Sequence, residues 1–290
     1  MTYLLCEGDF DERMVTAVLH KQGITIETIP AYGTKNLGAV RTYLQEQAKS
    51  HPFYTIRDRD YSSFNEAKQS WQAGSTQFMW HRHEIENYLL DNRVIARAFA
   101  AINQSPLFKP KATPLPENPH EMLAILQDIA RPLLAHHAAQ IVCQQLDLKV
   151  RLGTMACGDK IPLQPEKCLD YLQAQLADRK VNNETLTRDI VKYETDLKDK
   201  YHQILQQVLA PTFLQPGEDG FLYDLGGKEL IKALCVAKIN PVLKAPLGID
   251  DFTELLFESF QVEADQPDFI WPDDFVTLAQ RLQPQKNKHE

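Results

Sequence analysis

Four short apolar runs divide the first eighty residues, and they constrain the fold more than any other feature of the chain. Residues 2–6 (TYLLC), 24–29 (ITIETI), 53–56 (FYTI) and 77–80 (QFMW) are too short for helices and rich in aliphatic, β-branched and aromatic side chains. Such runs read as buried strands. Between them lie helical patterns. Met14, Val15, Val18 and Leu19 recur at helical spacing within 9–22, and Gly23 follows as a stop. A second helix fits 37–49, and a third fits 64–71 with Ser62 or Ser63 as its cap. Strands alternating with helices predict an α/β fold: a mainly parallel, Rossmann-like sheet flanked by helices.

The pattern changes after residue 104. Five prolines fall within 105–119, which marks a linker or a domain edge. A helix is expected over 121–150, kinked at Pro132. The charged, Gln-rich stretch 165–210 suits a helical hairpin. FLYDL (221–225) reads as a strand that passes through Gly226-Gly227 into a helix near Lys228. Short helices are expected near 250–260 and 273–282, with a frayed polar tail QPQKNKHE. The chain thus divides into a first part of the α/β core (1–104), a large helical insertion (105–215) and a completing segment with C-terminal helices (216–290).

Bulk properties narrow the class. With 290 residues the chain can bury a sizeable core. Its net charge of −8 argues against a protein that coats nucleic acid non-specifically, but not against one that spends carboxylates on a metal. The cysteines are Cys6, Cys143, Cys157, Cys168 and Cys235, an odd number without a Cys-x-x-Cys pair. That is the usage of a reduced protein without a disulfide framework. The N-terminus lacks a secretory pattern, and no stretch has the apolar length of a membrane helix. The expectation is a cytoplasmic protein that does not engage membrane.

Functional groups of open α/β sheets gather at the carboxyl ends of strands. The first run ends at Glu7-Gly8, with Asp11 one helical turn on; the third ends at Asp58-Arg59-Asp60; the fourth leads to Glu84-Ile85-Glu86. In extended chain, alternate residues point the same way, so Asp58 and Asp60 should face one site, as should Glu84 and Glu86. Carboxylates so gathered repel one another unless a cation sits among them. Mg²⁺ or Mn²⁺ suits hard oxygen ligands, and two such ions about 4 Å apart could clamp a phosphodiester.

Glu7-Gly8-x-x-Asp11 followed by Asp58-x-Asp60 resembles the Toprim fold of topoisomerases, bacterial primases and small nucleases. Arg82-His83-Glu84-Ile85-Glu86-Asn87-Tyr88-Leu89-Leu90 is similar to an element of Toprim proteins of the overcoming-lysogenization-defect group. It also resembles stand-alone relatives that work beside ABC-type ATPases in phage defence. Gly227-Lys228-Glu229-Leu230 looks like the late Gly-Lys-x-Leu element of that group. The resemblance covers about 1–95 and 222–240. It implies a Mg²⁺- or Mn²⁺-dependent nuclease acting on DNA or RNA, transfer RNA included. Glu7 and Lys228 would be catalytic, and Glu7, Asp11, Asp58, Asp60, Glu84 and Glu86 would be metal ligands. It further implies an ABC-type ATPase partner, with a second copy of the chain also admitted. No Gly-x-x-x-x-Gly-Lys-[Ser/Thr] loop occurs, so the chain itself carries no ATPase signature.

Each acidic position also has a structural explanation. Glu7 and Asp11 could serve helix N-termini. Asp58 and Asp60 alternate with Arg57 and Arg59 and could be a solvated charge run. One of Glu84 and Glu86 could pair with Arg82. His81 and His83 fit hydrogen-bonding roles better than metal ligation, and Phe78 and Trp80 read as core. Beside the nuclease stands the alternative of an ATPase-controlled interaction module with the same fold and no cleavage activity.

Overall fold

The four apolar runs become the four strands of one parallel sheet in the computed structural model, which describes residues 2–60, 62–146, 164–182 and 187–283. They are β1 (Tyr3–Cys6), β2 (Glu27–Pro30), β3 (Phe53–Arg57) and β4 (Gln77–Met79), in the order β2-β1-β3-β4. Register is set by Tyr3 against Glu27 on one side and Phe53 on the other, and by Thr55 against Gln77. The fold is α/β with a Rossmann-like parallel sheet, as expected.

The crossovers are α1 (Asp9–Lys21), α2 (Thr34–Gln47) and α3 (Phe64–Ser70). Right-handed connections put α1 on one face of the sheet and α2 and α3 on the other. Helix α1 buries Met14, Val15, Val18 and Leu19, the stripe its sequence spacing marks. On the opposite face Leu5, Ala31, Leu37 and Phe53 form a core patch, with Val40 and Leu44 of α2 against it. Ser63 caps α3 in a reciprocal box with Glu66: Ser63 Oγ accepts from the Glu66 amide, and Glu66 Oε2 accepts from the Ser63 amide. Helix α2 starts at Thr34, three residues before the apolar pattern begins, because Gly33 turns the chain with φ +119°.

The chain forms two compact units. One comprises 1–122 and 222–290; the other comprises 123–221. The first adds α4 (Asn92–Gln104) and, after the second crossing, α9 (Gly227–Leu234), α10 (Ile249–Glu263) and α11 (Asp273–Leu282). Helix α4 packs on α10, and α1 touches α11. The helix α5 (Pro119–Ala130) leads into the second unit, which holds α6 (Leu134–Gln145), α7 (Pro165–Asn182) and α8 (Thr187–Val208). A 3₁₀ turn at Arg131–Leu133 separates α5 from α6, the break that Pro132 predicts. Helices α6, α7 and α8 pack on one another around Val142, Leu172, Leu197 and Tyr201. The last turn of the helix expected to Val150, Cys157, residues 183–186 within the expected helical hairpin, and the polar tail from Pro284 lie outside the described residues. Cys6, Cys143, Cys168 and Cys235 are buried free thiols. No helix among the described residues is long and apolar enough to cross a membrane.

Three local expectations are corrected. FLYDL is not a strand: Gly220–Tyr223 is a 3₁₀ turn. Phe221 and Leu222 are both buried, an arrangement that a strand with one wet face would not give. Asp58 and Asp60 do not share a face by alternation, because the strand ends at Arg57 and Asp60 turns left-handed at φ +49°. Glu84 and Glu86 do face one site, both within 3.8 Å of the Lys228 ammonium, but through the 3₁₀ helix Ile85–Leu90 with Glu84 just before it and not through strand alternation.

Candidate metal centre

The strand order fixes where a site can form. After β1 the chain turns to one side of the sheet, and after β3 it turns to the other. The carboxyl ends of these two neighbouring strands therefore open a crevice, the usual ligand position in such folds. Glu7 stands at the end of β1 and Asp58 at the end of β3. Glu7 Oε2 accepts a hydrogen bond from the Asp58 amide at 3.3 Å, and Glu7 Oε1 accepts one from the Thr34 hydroxyl. Gly33 N donates to Glu7 O at 2.8 Å and holds the backbone of the same turn.

Asp11 sits in the first turn of α1 and is buried, 8% exposed. Burial is the main reason its carboxyl is pushed up to about 7; the negative charges of Glu86 and Glu7 add to this, and Lys228 opposes it. Asp58 is buried and raised well above the carboxylate range, first by desolvation and then by Asp11 and Glu86. Its Oδ1 accepts from the Ile85 amide at 3.0 Å, which ties the end of β3 to the 3₁₀ helix.

The segment after β4 is held by Asn87. Its Oδ1 accepts from the Glu84 amide at 2.9 Å, and its Nδ2 donates to Leu225 O at 2.9 Å. Gly227 makes this contact sterically feasible: a Cβ there would lie 2.6 Å from Asn87 N and 2.9 Å from Glu86 C, both backbone atoms. Docked this way, α9 brings Lys228 to the carboxylates. The Lys228 amide donates to Glu84 Oε2 at 3.1 Å, so Glu84 serves the N-terminus of α9 as well as the site. The Lys228 ammonium lies 3.3 Å from Glu86 Oε1 and 3.8 Å from Glu84 Oε1. Partial burial pulls its pKa down, yet Glu84, Glu86 and Asp58 together leave it raised. Glu84 is pushed up to about 7, chiefly by burial.

Glu7, Asp11, Asp58, Glu84, Glu86 and Lys228 thus form one electrostatically coupled group. Asp60 belongs to its outer side. Its amide donates to His83 O at 3.0 Å. Asp60, His83 and Glu84 each offer a ligand atom, and these three atoms lie within 4.8 Å of one another. Among the described residues this is the one set of three or more such atoms so close; it includes His83, and it leaves out Glu7, Asp11, Asp58 and Glu86.

The donor set fits a hard divalent cation on a further count. Asp11 Oδ1 and Glu86 Oε2 are buried and accept no hydrogen bond from the protein. A buried carboxylate oxygen without a donor is costly, and either a proton, as the raised pKa of Asp11 reflects, or a cation removes the cost.

Two residues that brace the site escape the sequence pattern. Arg59 is 4% exposed, not part of a solvated run. Its guanidinium donates to Ser62 O at 2.8 Å, to Asp224 Oδ1 at 2.9 Å and to Tyr223 O, and so pins the turn between Asp58 and Asp60 to the segment before Lys228. Asp274, at the start of α11, accepts from the His81 amide at 2.9 Å, pairs with His81 Nδ1 and accepts from the Tyr88 hydroxyl. It braces both ends of the segment that carries Glu84 and Glu86. The sequence does not mark either role, because Tyr223 and Asp224 lie more than 160 residues from Arg59, and His81 and Tyr88 more than 180 from Asp274. Comparison with protein-family models and with curated proteins finds no match to this chain.

Proposed function

We propose that the first unit is a Toprim-type, Mg²⁺- or Mn²⁺-dependent nuclease that hydrolyses phosphodiester bonds in DNA or RNA. The observation that carries this reading is the pair of donorless buried carboxylate oxygens, Asp11 Oδ1 and Glu86 Oε2, in a carboxylate cluster at the strand-order switch of the sheet. Asp11, Asp58, Glu84 and Glu86 are the residues that would hold the cation, with Asp60 at the outer edge beside Glu84. Bound there, the ion supplies charge neutralisation at the phosphoryl oxygens.

The chain's own groups account for the rest. Glu7 is oriented by Thr34 and by the Asp58 amide, each of which takes one lone pair. It keeps basic capacity to accept a proton from an attacking water. The Lys228 side chain is 59% exposed and presents its remaining donors to charge that develops on phosphate. The role as a phage-defence effector held by an ABC-type ATPase rests on the resemblance of the 82–90 and 227–230 segments.

One observation favours the alternative, an interaction module without cleavage activity. Lys228 already neutralises Glu84 and Glu86, and Glu84 already has a capping task. Cleavage of single- and double-stranded DNA and RNA in Mg²⁺ and in Mn²⁺ separates the two. Activity that falls about 100-fold or more in Glu7→Gln and Asp58→Asn is the expected result. A parent protein that neither cuts any of these nor binds either ion by titration calorimetry refutes the nuclease and leaves the module.

A further inference from the structure

The face of the sheet opposite α1 holds a cavity of about 320 Å³ between α2 and α3, floored by β3 and β4. One stripe of α2 lines it: Thr34, Leu37, Gly38 and Arg41, at the spacing of a single helix face. Strand β3 contributes Thr55 and Arg57, alternate residues that point to the same side, and Gln77 of β4 stands in register with Thr55. Gly38 keeps the space open. It lies inside the helix, where glycine costs stability relative to alanine, yet a Cβ there would meet nothing within 4 Å. No packing contact calls for a glycine at this position; its missing side chain leaves room.

Two arginines line the cavity, and no carboxylate does. Arg41 is half-buried without an acidic partner: Nη2 donates to the Thr76 hydroxyl at 2.9 Å, and Nε is buried with no acceptor. Arg57 is half-buried too, and its side chain makes no hydrogen bond or ion pair among the described residues. Two acids act from outside. Exposed Glu66 feels the Arg57 charge, with its carboxylate already on the Ser63 amide and hydroxyl. Glu7 lies behind Thr34, whose hydroxyl donates to it. Both keep their charge, but neither lines the cavity. Partly buried cations without carboxylates are costly, and an anion relieves that cost. Neutral donors stand beside them. Thr55 is 7% exposed, and its hydroxyl has no partner among the described residues; nor has the Gln77 side-chain amide. Thr76 O accepts from the Thr55 amide at 2.9 Å, so Arg41, bound to Thr76, is held at the level of Thr55. Arg57 follows two residues on, about 6.6 Å along the strand. Two arginine side chains so spaced can close on one phosphate, whose several acceptor oxygens suit their forked donors.

The cavity adjoins the carboxylate site by direct contact. Thr34 lines the cavity and donates to Glu7 Oε1. Arg57 lines it and is followed at once by Asp58, whose amide donates to Glu7 Oε2 at 3.3 Å. One end of the cavity therefore opens where β1 and β3 deliver their carboxylates.

We infer that the cavity between α2 and α3 is a phosphate subsite, in which Arg41, Arg57, Thr55 and Gln77 hold a phosphate group. The inference rests on the nuclease reading only for the source of that phosphate: a nucleic-acid strand whose neighbouring phosphodiester lies at the carboxylates. A free nucleotide offers the same chemistry. Guanidinium groups on a phosphate read no base, so the subsite positions the strand and carries no sequence preference.

The test uses the full chain in EDTA, so that binding is read without cleavage. Thymidine 5′-monophosphate and a single strand of octathymidylate are titrated at several salt concentrations. The strand should bind roughly 10-fold or more tightly than the mononucleotide, since its further phosphates add to the attraction. Inorganic phosphate, exchanged for chloride at constant ionic strength, should displace both. Arg41→Gln and Arg57→Gln should each weaken the strand about 10-fold or more, as loss of a hydrogen bond to a charged group does. The double variant should lower the slope of log affinity against log salt by about 0.7, the value for one phosphate of a single strand. Gly38→Phe should unfold in urea no earlier than the parent, because its side chain enters open space, and should bind neither ligand. A parent that binds neither, a strand that inorganic phosphate does not displace, or arginine variants or a folded Gly38→Phe variant that bind as the parent does overturns the inference. Equal affinity for mononucleotide and strand, with the same dependence on the arginines, keeps the subsite and assigns it to a free nucleotide. Arginine-dependent binding in a protein that never cleaves in Mg²⁺ or Mn²⁺ sustains the subsite and sinks the nuclease reading. Cleavage by a parent whose binding ignores all three substitutions sinks the subsite alone.

Discussion

Asp11→Asn in the metal-free protein gives the sharpest reading of the carboxylate cluster, because its effect is a slope and not a single number. The Asp11 carboxyl is raised from 3.8 to about 7, first by burial and then by Glu86 and Glu7. A folded-state pKa above the unfolded one means that the unfolded chain sheds the proton first. Its contribution is fully favourable below about pH 4 and is lost as pH rises through about 7. The full difference spans about three tenfold steps of 1.36 kcal/mol, or on the order of 4 kcal/mol as a ceiling. Roughly 2–3 kcal/mol of that falls between pH 5 and pH 8. The three tryptophans, Trp71, Trp80 and Trp271, all lie in the first unit, so their fluorescence reports its unfolding by urea without interference from the second. In EDTA the parent should lose stability from pH 5 to pH 8, and Asp11→Asn should flatten that loss by about 2 kcal/mol. A buried amide has its own cost, but that cost does not vary with pH. Mg²⁺ needs ionised ligands, so its stabilisation of the parent should grow over the same interval, toward about 2.7 kcal/mol at 100 times Kd. Parallel slopes for parent and variant in EDTA would refute the electrostatic account of this site.

Gly227→Ala should cost about 1–3 kcal/mol in the same assay, since its Cβ meets main chain at 2.6 Å and only movement of α9 relieves it; unchanged unfolding would show that this contact is loose. Lys228→Ala should lower metal-free stability at pH 8, because Glu84 and Glu86 lose their neutralising partner, while the stabilisation gained from Mg²⁺ becomes larger. An unchanged Mg²⁺ increment would mean that the lysine and the cation do not share those carboxylates. Arg59→Lys should destabilise by about 1–3 kcal/mol, as an ammonium cannot span Ser62 O, Tyr223 O and Asp224 together; a neutral substitution, read by thermal unfolding, would remove Arg59 from the bracing of the site.

The sheet was legible because a parallel strand buried on both faces leaves a continuous apolar run, and β1, β3 and β4 each have one. Helix α1 was legible because its stripe of Met14, Val15, Val18 and Leu19 has a helical period and nothing else fits it. The site was legible in its residue types but not in its geometry. Extended-chain alternation suggested that Asp58 and Asp60, and again Glu84 and Glu86, would face the same way. The chain is not extended at either place: Asp60 turns left-handed, and Glu86 lies in a 3₁₀ helix. What gathers the acids is long-range. The Asp58 carboxylate reaches the Ile85 amide, Asn87 reaches Leu225 O, and Arg59 reaches Tyr223 O across more than 160 residues of sequence. The same fact explains the misread FLYDL turn. Two of its carbonyls, Tyr223 O and Leu225 O, accept from the side chains of Arg59 and Asn87 and not from a neighbouring strand. Turn and site are thus one construction. The Arg59 and Asn87 donors that stabilise the irregular backbone at 223–225 also fix where α9 begins, and through Gly227 they decide whether Lys228 reaches Glu84 and Glu86.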